Sequence, residues 1–190
     1  MNLKFLAAGM ALASTVALAD GPQFSVFPGL QYGSSPSGSV SGMSFNILGA
    51  ENRNVSGFDL SLLGYRQVNN NFNGFHLALF GLEAFRVSGD MSGVSFSLWN
   101  DIQRDMNGGT FGLVNTVGGD AVFEFGFVNT AHGKATAQFG FVNYAQSVGG
   151  IQFGFVNATQ NLEGVQIGLV NYAKNGILPV LPILNFKKSF

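Results

Sequence analysis

The chain has 190 residues and a formal net charge of −1, with 10% charged residues, 46% hydrophobic residues, 27 glycines and 20 phenylalanines. Ordinary soluble domains carry roughly 25% charged residues, and without a basic patch there is no footprint for nucleic acid. There is no cysteine, which excludes a disulfide framework and thiol chemistry.

Lys4 precedes an apolar run from Phe5 to Leu18, and Ala17-Leu18-Ala19 stands before Asp20. A basic start, a short apolar stretch and a small-residue cleavage site predict a secretory signal peptide over residues 1–19. Residues 20–190 then form a single β-repeat domain. It keeps eight of the nine Lys+Arg and all ten Asp+Glu, so its charge is 8 − 10 = −2. No later stretch reaches the eighteen or so unbroken apolar residues of a membrane-spanning helix.

From here the chain repeats itself. Gly29-Leu30-Gln31-Tyr32-Gly33 is a truncated first unit, and fuller units begin at Gly42, Gly57, Gly74 and Gly93. The pattern then sharpens into GGTFGLVN from Gly108, VFEFGFVN from Val122, TAQFGFVN from Thr136, GIQFGFVN from Gly150 and GVQIGLVN from Gly164. A last unit runs from Leu178 to Asn185. Repeats this dense exclude separate domains.

Each unit alternates. Its second, fourth and sixth positions are large and apolar, as in Ile151, Phe153 and Phe155. The third is mostly polar, from Ser44, Asp59 and His76 through Ser95, Thr110 and Glu124 to Gln138, Gln152 and Gln166. The fifth is small, and in the later units it is Gly112, Gly126, Gly140, Gly154 and Gly168. Period-two alternation is the signature of a β-strand, so the fold class is all-β. The connectors, such as Glu51 to Ser56 and Ala158 to Glu163, are polar and read as turns, and the asparagines closing the units read as turn residues.

Two architectures accept a strand every fourteen residues. An antiparallel meander of about 10–12 short strands gives nine- or ten-residue strands, close to the roughly 9–11 that cross a bilayer when tilted. A parallel β-solenoid must bend at the central glycine and return within about six residues. Its cross-section could not hold the large residues, which would have to face outward. The expectation is therefore a transmembrane β-barrel, with Phe153, Phe155, Ile167 and Leu169 on lipid and Gln and Gly in the lumen. The alternatives are a β-solenoid or an open repeat sheet. Pro28 in the first unit, and Pro179 and Pro182 in the last, sit awkwardly in strands that would have to pair to close a barrel.

The chain ends Asn185-Phe186-Lys187-Lys188-Ser189-Phe190, and its terminal Phe resembles the assembly signal of bacterial outer-membrane barrels, although Lys188 breaks the apolar alternation. The units themselves resemble a family of bacterial surface-repeat proteins built from tandem G-V-Q-I-G-L-x-N repeats. The likeness is strong over Gly108 to Phe186, including the proline-containing segment Pro182 to Phe186, and weak before Gly93. It implies residence at the cell surface or outer membrane of a Gram-negative-type bacterium, and it carries no activity.

Few residues invite chemistry. His76 lies near Asp59, and with Ser61 or Ser95 the pair could be nucleophile machinery. A polar cluster filling a narrow interior explains the same residues. His132 reads as a solvated turn residue, and Trp99 at a strand end suits an interfacial anchor. No motif for a phosphate, metal or cofactor is present, so no catalytic, cofactor-binding or metal set is predicted. The function expected is a non-enzymatic outer-membrane or cell-surface β-repeat protein with a structural or narrow-pore role. Its partners would be outer-membrane lipid and the barrel-assembly machinery. The alternatives are an extracellular self-assembling β-sheet protein, with stacked Gln and Asn ladders, and a barrel lipid hydrolase.

Overall fold

In a computed structural model, residues 21–188 are described, and they contain strands and no helix. The predicted signal peptide and the terminal Phe190 lie outside the described residues. In chain order the strands are β1 (Gly21–Phe27), β2 (Leu30–Tyr32), β3 (Val40–Asn46), β4 (Gly49–Asn52), β5 (Val55–Val68) and β6 (Phe72–Val87). They continue with β7 (Met91–Phe96), β8 (Trp99–Ile102), β9 (Met106–Val117), β10 (Ala121–Leu162), β11 (Val165–Ala173) and β12 (Val180–Phe186).

The pairing between successive repeats is parallel and in register. Val40 pairs with Val55, Val55 with Phe72, Phe72 with Met91, and Met91 with Met106. Glu124 pairs with Thr110, and Gln152 with Gln166. The chain is thus a β-solenoid, and the expected antiparallel transmembrane barrel is corrected. Among the described residues, antiparallel pairs occur only at the two ends, where β2 folds back on β1 and β12 on β11.

The error in the barrel expectation lies in the connectors. They are not turns but the return arm of each coil, itself hydrogen-bonded to the next: Ala158 pairs with Tyr172 and Thr159 with Ala173. Because both arms are strands, β10 runs unbroken through 42 residues. The in-out alternation breaks where two consecutive side chains point outward, at Phe155-Val156 and again at Gln160-Asn161. The first break falls immediately after the central glycine, where a solenoid was expected to bend.

Coil length changes along the molecule. Equivalent positions lie 15 to 19 residues apart in the N-terminal coils and 14 apart in the C-terminal ones. The core follows. Large side chains such as Phe72, Phe85, Met91, Ile102 and Met106 are buried where the coils are long. Where the coil is shortest, Ala121, Ala131, Ala135 and Ala145 take much of the same interior, with Val148 and Leu162 beside them, since a smaller cross-section holds fewer large residues at native density.

Glycine takes two inward columns for steric reasons. Gly57, Gly74, Gly93 and Gly108 stack on one another with φ of 122°, 153°, 129° and 147°, a region L-residues rarely enter. The second column holds Gly140, Gly154 and Gly168. A Cβ at Gly154 would run into the Gly140 carbonyl oxygen and the Asn143 side-chain amide. The obstacle is the coil beneath, not an opposing barrel wall. We therefore predict that Gly154→Ala and Gly154→Ser, as well as Gly154→Leu, lower the urea unfolding midpoint. The alanine variant should cost about 1–3 kcal/mol by overpacking, whereas the outward Ala158→Ser should stay within about 0.5 kcal/mol.

Candidate functional site

The interior is built from amides. Asn100, Asn115, Asn129, Asn143, Asn157 and Asn171 occupy one column and are fully buried. Each of the first five donates one Nδ2–H to the Oδ1 of the next, at 2.8–2.9 Å. The second N–H goes to a main-chain carbonyl of the following coil: Asn115 to Phe125, Asn129 to Phe139, Asn143 to Phe153 and Asn157 to Ile167. An amide has two donors on one nitrogen, and the parallel register supplies an acceptor for each. The ladder starts on the hydroxyls of Ser95 and Ser97, which donate to Asn100 Oδ1. It ends in the C-terminal cap, where Asn171 donates to the Leu181 carbonyl.

A second ladder rises from the third position of the repeat. Gln166 donates to Gln152 and Gln152 to Gln138, both at 2.7 Å, and Gln138 donates to Glu124 Oε2 at 2.6 Å. The spare N–H of each glutamine reaches the carbonyl six residues on, at Tyr144, Ala158 or Tyr172. Glu124 thus stands where another glutamine would. Burial pushes its carboxyl up to about 7, against the opposing hydrogen bonds from Gln138 and the Thr130 backbone.

The same column holds a buried charge cluster in the N-terminal coils. Asp59 Oδ2 accepts from Arg66 Nε and contacts His76 Nδ1, both at 2.9 Å. Asp59 Oδ1 accepts from Asn46 at 2.9 Å. His76 Nε2 lies 3.5 Å from Glu83 Oε2, a charge contact longer than a good hydrogen bond. The imidazole stacks on Phe85 with centroids 4.1 Å apart. Burial alone would raise the Asp59 carboxyl, but the Arg66 charge and the His76 hydrogen bond hold it well below the usual carboxylate range. Burial opposes protonation of His76, yet Asp59 and Glu83 together raise it above its ordinary value. The stability this imidazole contributes is present below its unfolded pKa and is lost as pH rises through the raised folded one.

Outside, the polarity is inverted. One arm of every coil presents apolar side chains outward. Phe125, Phe127, Phe153, Phe155 and Leu169 are about half exposed, and Phe141 scarcely less so. Phe127, Phe141 and Phe155 form a stack with centroids 4.9 and 4.7 Å apart and interplanar angles of 1° and 8°. The other arm turns Gln67, Arg86, Asp101, Thr116 and Thr130 outward in one row. The solenoid is therefore amphipathic across its section, with an aromatic face and a polar face around a hydrogen-bonded interior.

Against the sequence expectations, Asp59 and His76 do meet. They do so in the core with no exposed surface, and both serines place their hydrogen bonds elsewhere than on the imidazole. Ser61 Oγ accepts from Asn46, and Ser95 Oγ donates to Asn100. His132 sits in β10, exposed on the polar face, with Nδ1 3.3 Å from the Val117 carbonyl. Trp99 opens β8 and points outward, half exposed. Of the four residues expected to face outward, Phe153, Phe155 and Leu169 are about half exposed, and Ile167 lies on the same face but is more covered. The unit-closing asparagines are ladder residues, not turn residues. Their recurrence every fourteen residues from Asn115 to Asn171 was the available signal, since a turn tolerates substitution and a ladder rung does not. Arg66 and Glu83 lie within stretches that read as connectors, Tyr65 to Asn73 and Leu82 to Ser92, so their inward placement was missed. Compared with known proteins, the chain matches no protein-family model, no curated protein and no solved structure.

Two predictions follow from the ladders. Asn143→Ala removes a partner from Asn129, from Asn157 and from the Phe153 carbonyl. At about 1–3 kcal/mol for each buried group left unpaired, chemical unfolding should register a loss above about 3 kcal/mol. For Glu124, a folded pKa of about 7 against an ordinary 4.5 means the folded chain holds a proton that the unfolded chain has released. Stability then falls as pH rises from 4.5 to about 7 and stays lower above it. At about 1.4 kcal/mol per pH unit the loss is about 3 kcal/mol. Glu124→Gln should remove this slope and be the more stable protein at pH 8, measured as urea midpoints across pH 4.5–8.

Proposed function

We propose that this chain is a non-enzymatic, exported structural protein of the outer membrane or cell surface. In this reading its aromatic face lies against membrane lipid and its polar face against water. The observation that supports it most is the inverted polarity: amides inside, phenylalanine outside. An exposed apolar patch of this extent marks a binding surface in a soluble protein, and burying each aromatic side chain contributes about 1.5–3 kcal/mol. The strands lie along the interface and do not span it. All but the end strands have paired edges, so no row of unpaired backbone groups need enter the apolar phase. The repeat pattern's resemblance to surface-repeat proteins, and the signal-peptide pattern, support the same location.

A structural role fits a solenoid whose interior is filled by side chains better than a pore, which needs an open lumen, or a barrel hydrolase, which needs a barrel. A solenoid has no barrel to close, and the proposal does not extend to the barrel-assembly machinery. For axial self-assembly the ends are poorly suited. β2 is a three-residue edge, and β12 contains Pro182, which has no N–H to offer a further strand.

The test is flotation of the mature chain, refolded with phosphatidylethanolamine–phosphatidylglycerol vesicles, through a density gradient. The protein should float with lipid. Phe141→Ser/Phe155→Ser/Leu169→Ser should stay at the bottom with its circular dichroism and urea midpoint nearly unchanged. A parent that remains monomeric in detergent-free buffer and ignores vesicles would sink the proposal.

A further inference from the structure

Where the aromatic face turns the corner into the polar face, one outward column reads Tyr65, Ala84, Trp99 on three successive rungs. Elsewhere on this solenoid, aromatic rings on adjacent rungs stack along the axis, as Phe141 and Phe155 do at 4.7 Å. Here an alanine stands between two aromatic residues. At about 4.8 Å per rung, their attachment points lie about 9.5 Å apart. The gap is a cleft of about 110 Å³, lined by Tyr65, Ala84, Phe85, Arg86, Trp99 and Asp101. Tyr65 and Trp99 are 42% and 50% exposed, so both rings are open to a ligand.

The next outward column on the same three rungs is Gln67, Arg86, Asp101. Arg86 Nε lies 3.5 Å from Asp101 Oδ2, a loose and partly exposed pair that leaves the guanidinium ends free to donate. Asp101 Oδ1 is held by Gln103 Nε2 at 2.7 Å. Two aromatic walls and a small apolar floor thus adjoin a row of donors and acceptors, the composition of a small-molecule site.

We propose that this cleft binds a neutral sugar ring. A pyranose has apolar C–H faces to place against the two aromatic walls and equatorial hydroxyls at its edge to meet Arg86 and Asp101. Carbon atoms in contact sit about 3.5–4.0 Å apart, so a flat ring sandwiched between two walls needs only about 7–8 Å between them. Walls attached about 9.5 Å apart suit a thicker, puckered ring, and a flat heteroaromatic base leaves one wall short of contact. The absence of any unpaired cation cluster beside the cleft favours an uncharged ring over a phosphorylated one. The site is open along the surface, so the ring can belong to a longer glycan.

Trp99 is the only tryptophan in the chain, which makes the cleft its own reporter. The experiment titrates the mature chain, held in a sugar-free detergent, with maltohexaose, cellohexaose and chitohexaose, with adenosine monophosphate alongside. At least one hexasaccharide should give a saturable change in Trp99 emission. Ala84→Leu, which fills the gap and leaves both aromatic residues in place, should abolish the change. Arg86→Ala should weaken it at least tenfold at unaltered circular dichroism. No saturable response to any of the three sugars up to 10 mM (roughly the weakest affinity worth assigning) overturns the proposal. An equal response in Ala84→Leu, or a response to the nucleotide alone, overturns it as well.

Discussion

A buried amide that lacks a partner costs more than a paired one contributes, and the whole molecule follows from that asymmetry. Each interior asparagine needs an acceptor for both protons and a donor for its oxygen. Only a parallel, in-register copy of itself, one coil above and one below, meets all three demands at once. The repeat length, the glycine opposite each amide and the parallel pairing are consequences. Gly154 must lack a side chain because the Asn143 amide occupies the space a Cβ would need.

An interior of this kind contributes specificity more than raw stability. Each ladder bond is worth about 0.5–1.5 kcal/mol net, but a slip of one residue would bury several unpaired amides together. The N-terminal coils meet the same need differently. Their wider section has room for the Asp59–Arg66–His76–Glu83 cluster and for Phe72 and Phe85, and there the charges pair with one another. Glu124 stands at the junction. It accepts from Gln138 above, while the Oε1 that faces the wider coils has no partner, and its carboxyl accordingly holds a proton more tightly than it would in water.

Much of this was legible in the sequence. The strands, their alternation and the division of side chains into two faces followed from the period of two. The polar third position, Ser44 through Gln166, lies inside as alternation required, and the large apolar positions lie outside. The architecture was misjudged because parity within a strand says nothing about whether its neighbour runs parallel or antiparallel. A barrel and a solenoid place Gln152 and Phe153 on the same two sides. What separates them is the nature of the connectors. Ala158 to Glu163 is polar because one face of its strand meets water, and polarity was taken for a turn. Thr159 and Leu162, both inward, were the residues in that stretch that a turn had no reason to bury.

The inverted section also explains why the usual association of phenylalanine with cores fails here. A fourteen-residue coil encloses an interior only a few side chains wide, and short amides that bond along the axis fill it without demanding width. Aromatic rings of the same rows would collide across it. Once outside, they stack along the axis at the rung spacing, as Phe127, Phe141 and Phe155 do, and so present a nearly continuous apolar surface. Where a column instead breaks this stacking, as at Ala84, the surface gains a recess whose width is set by the rung spacing of the sheet rather than by the side chains around it. The same axial repeat that orders the amides inside therefore fixes the dimensions of whatever can bind outside.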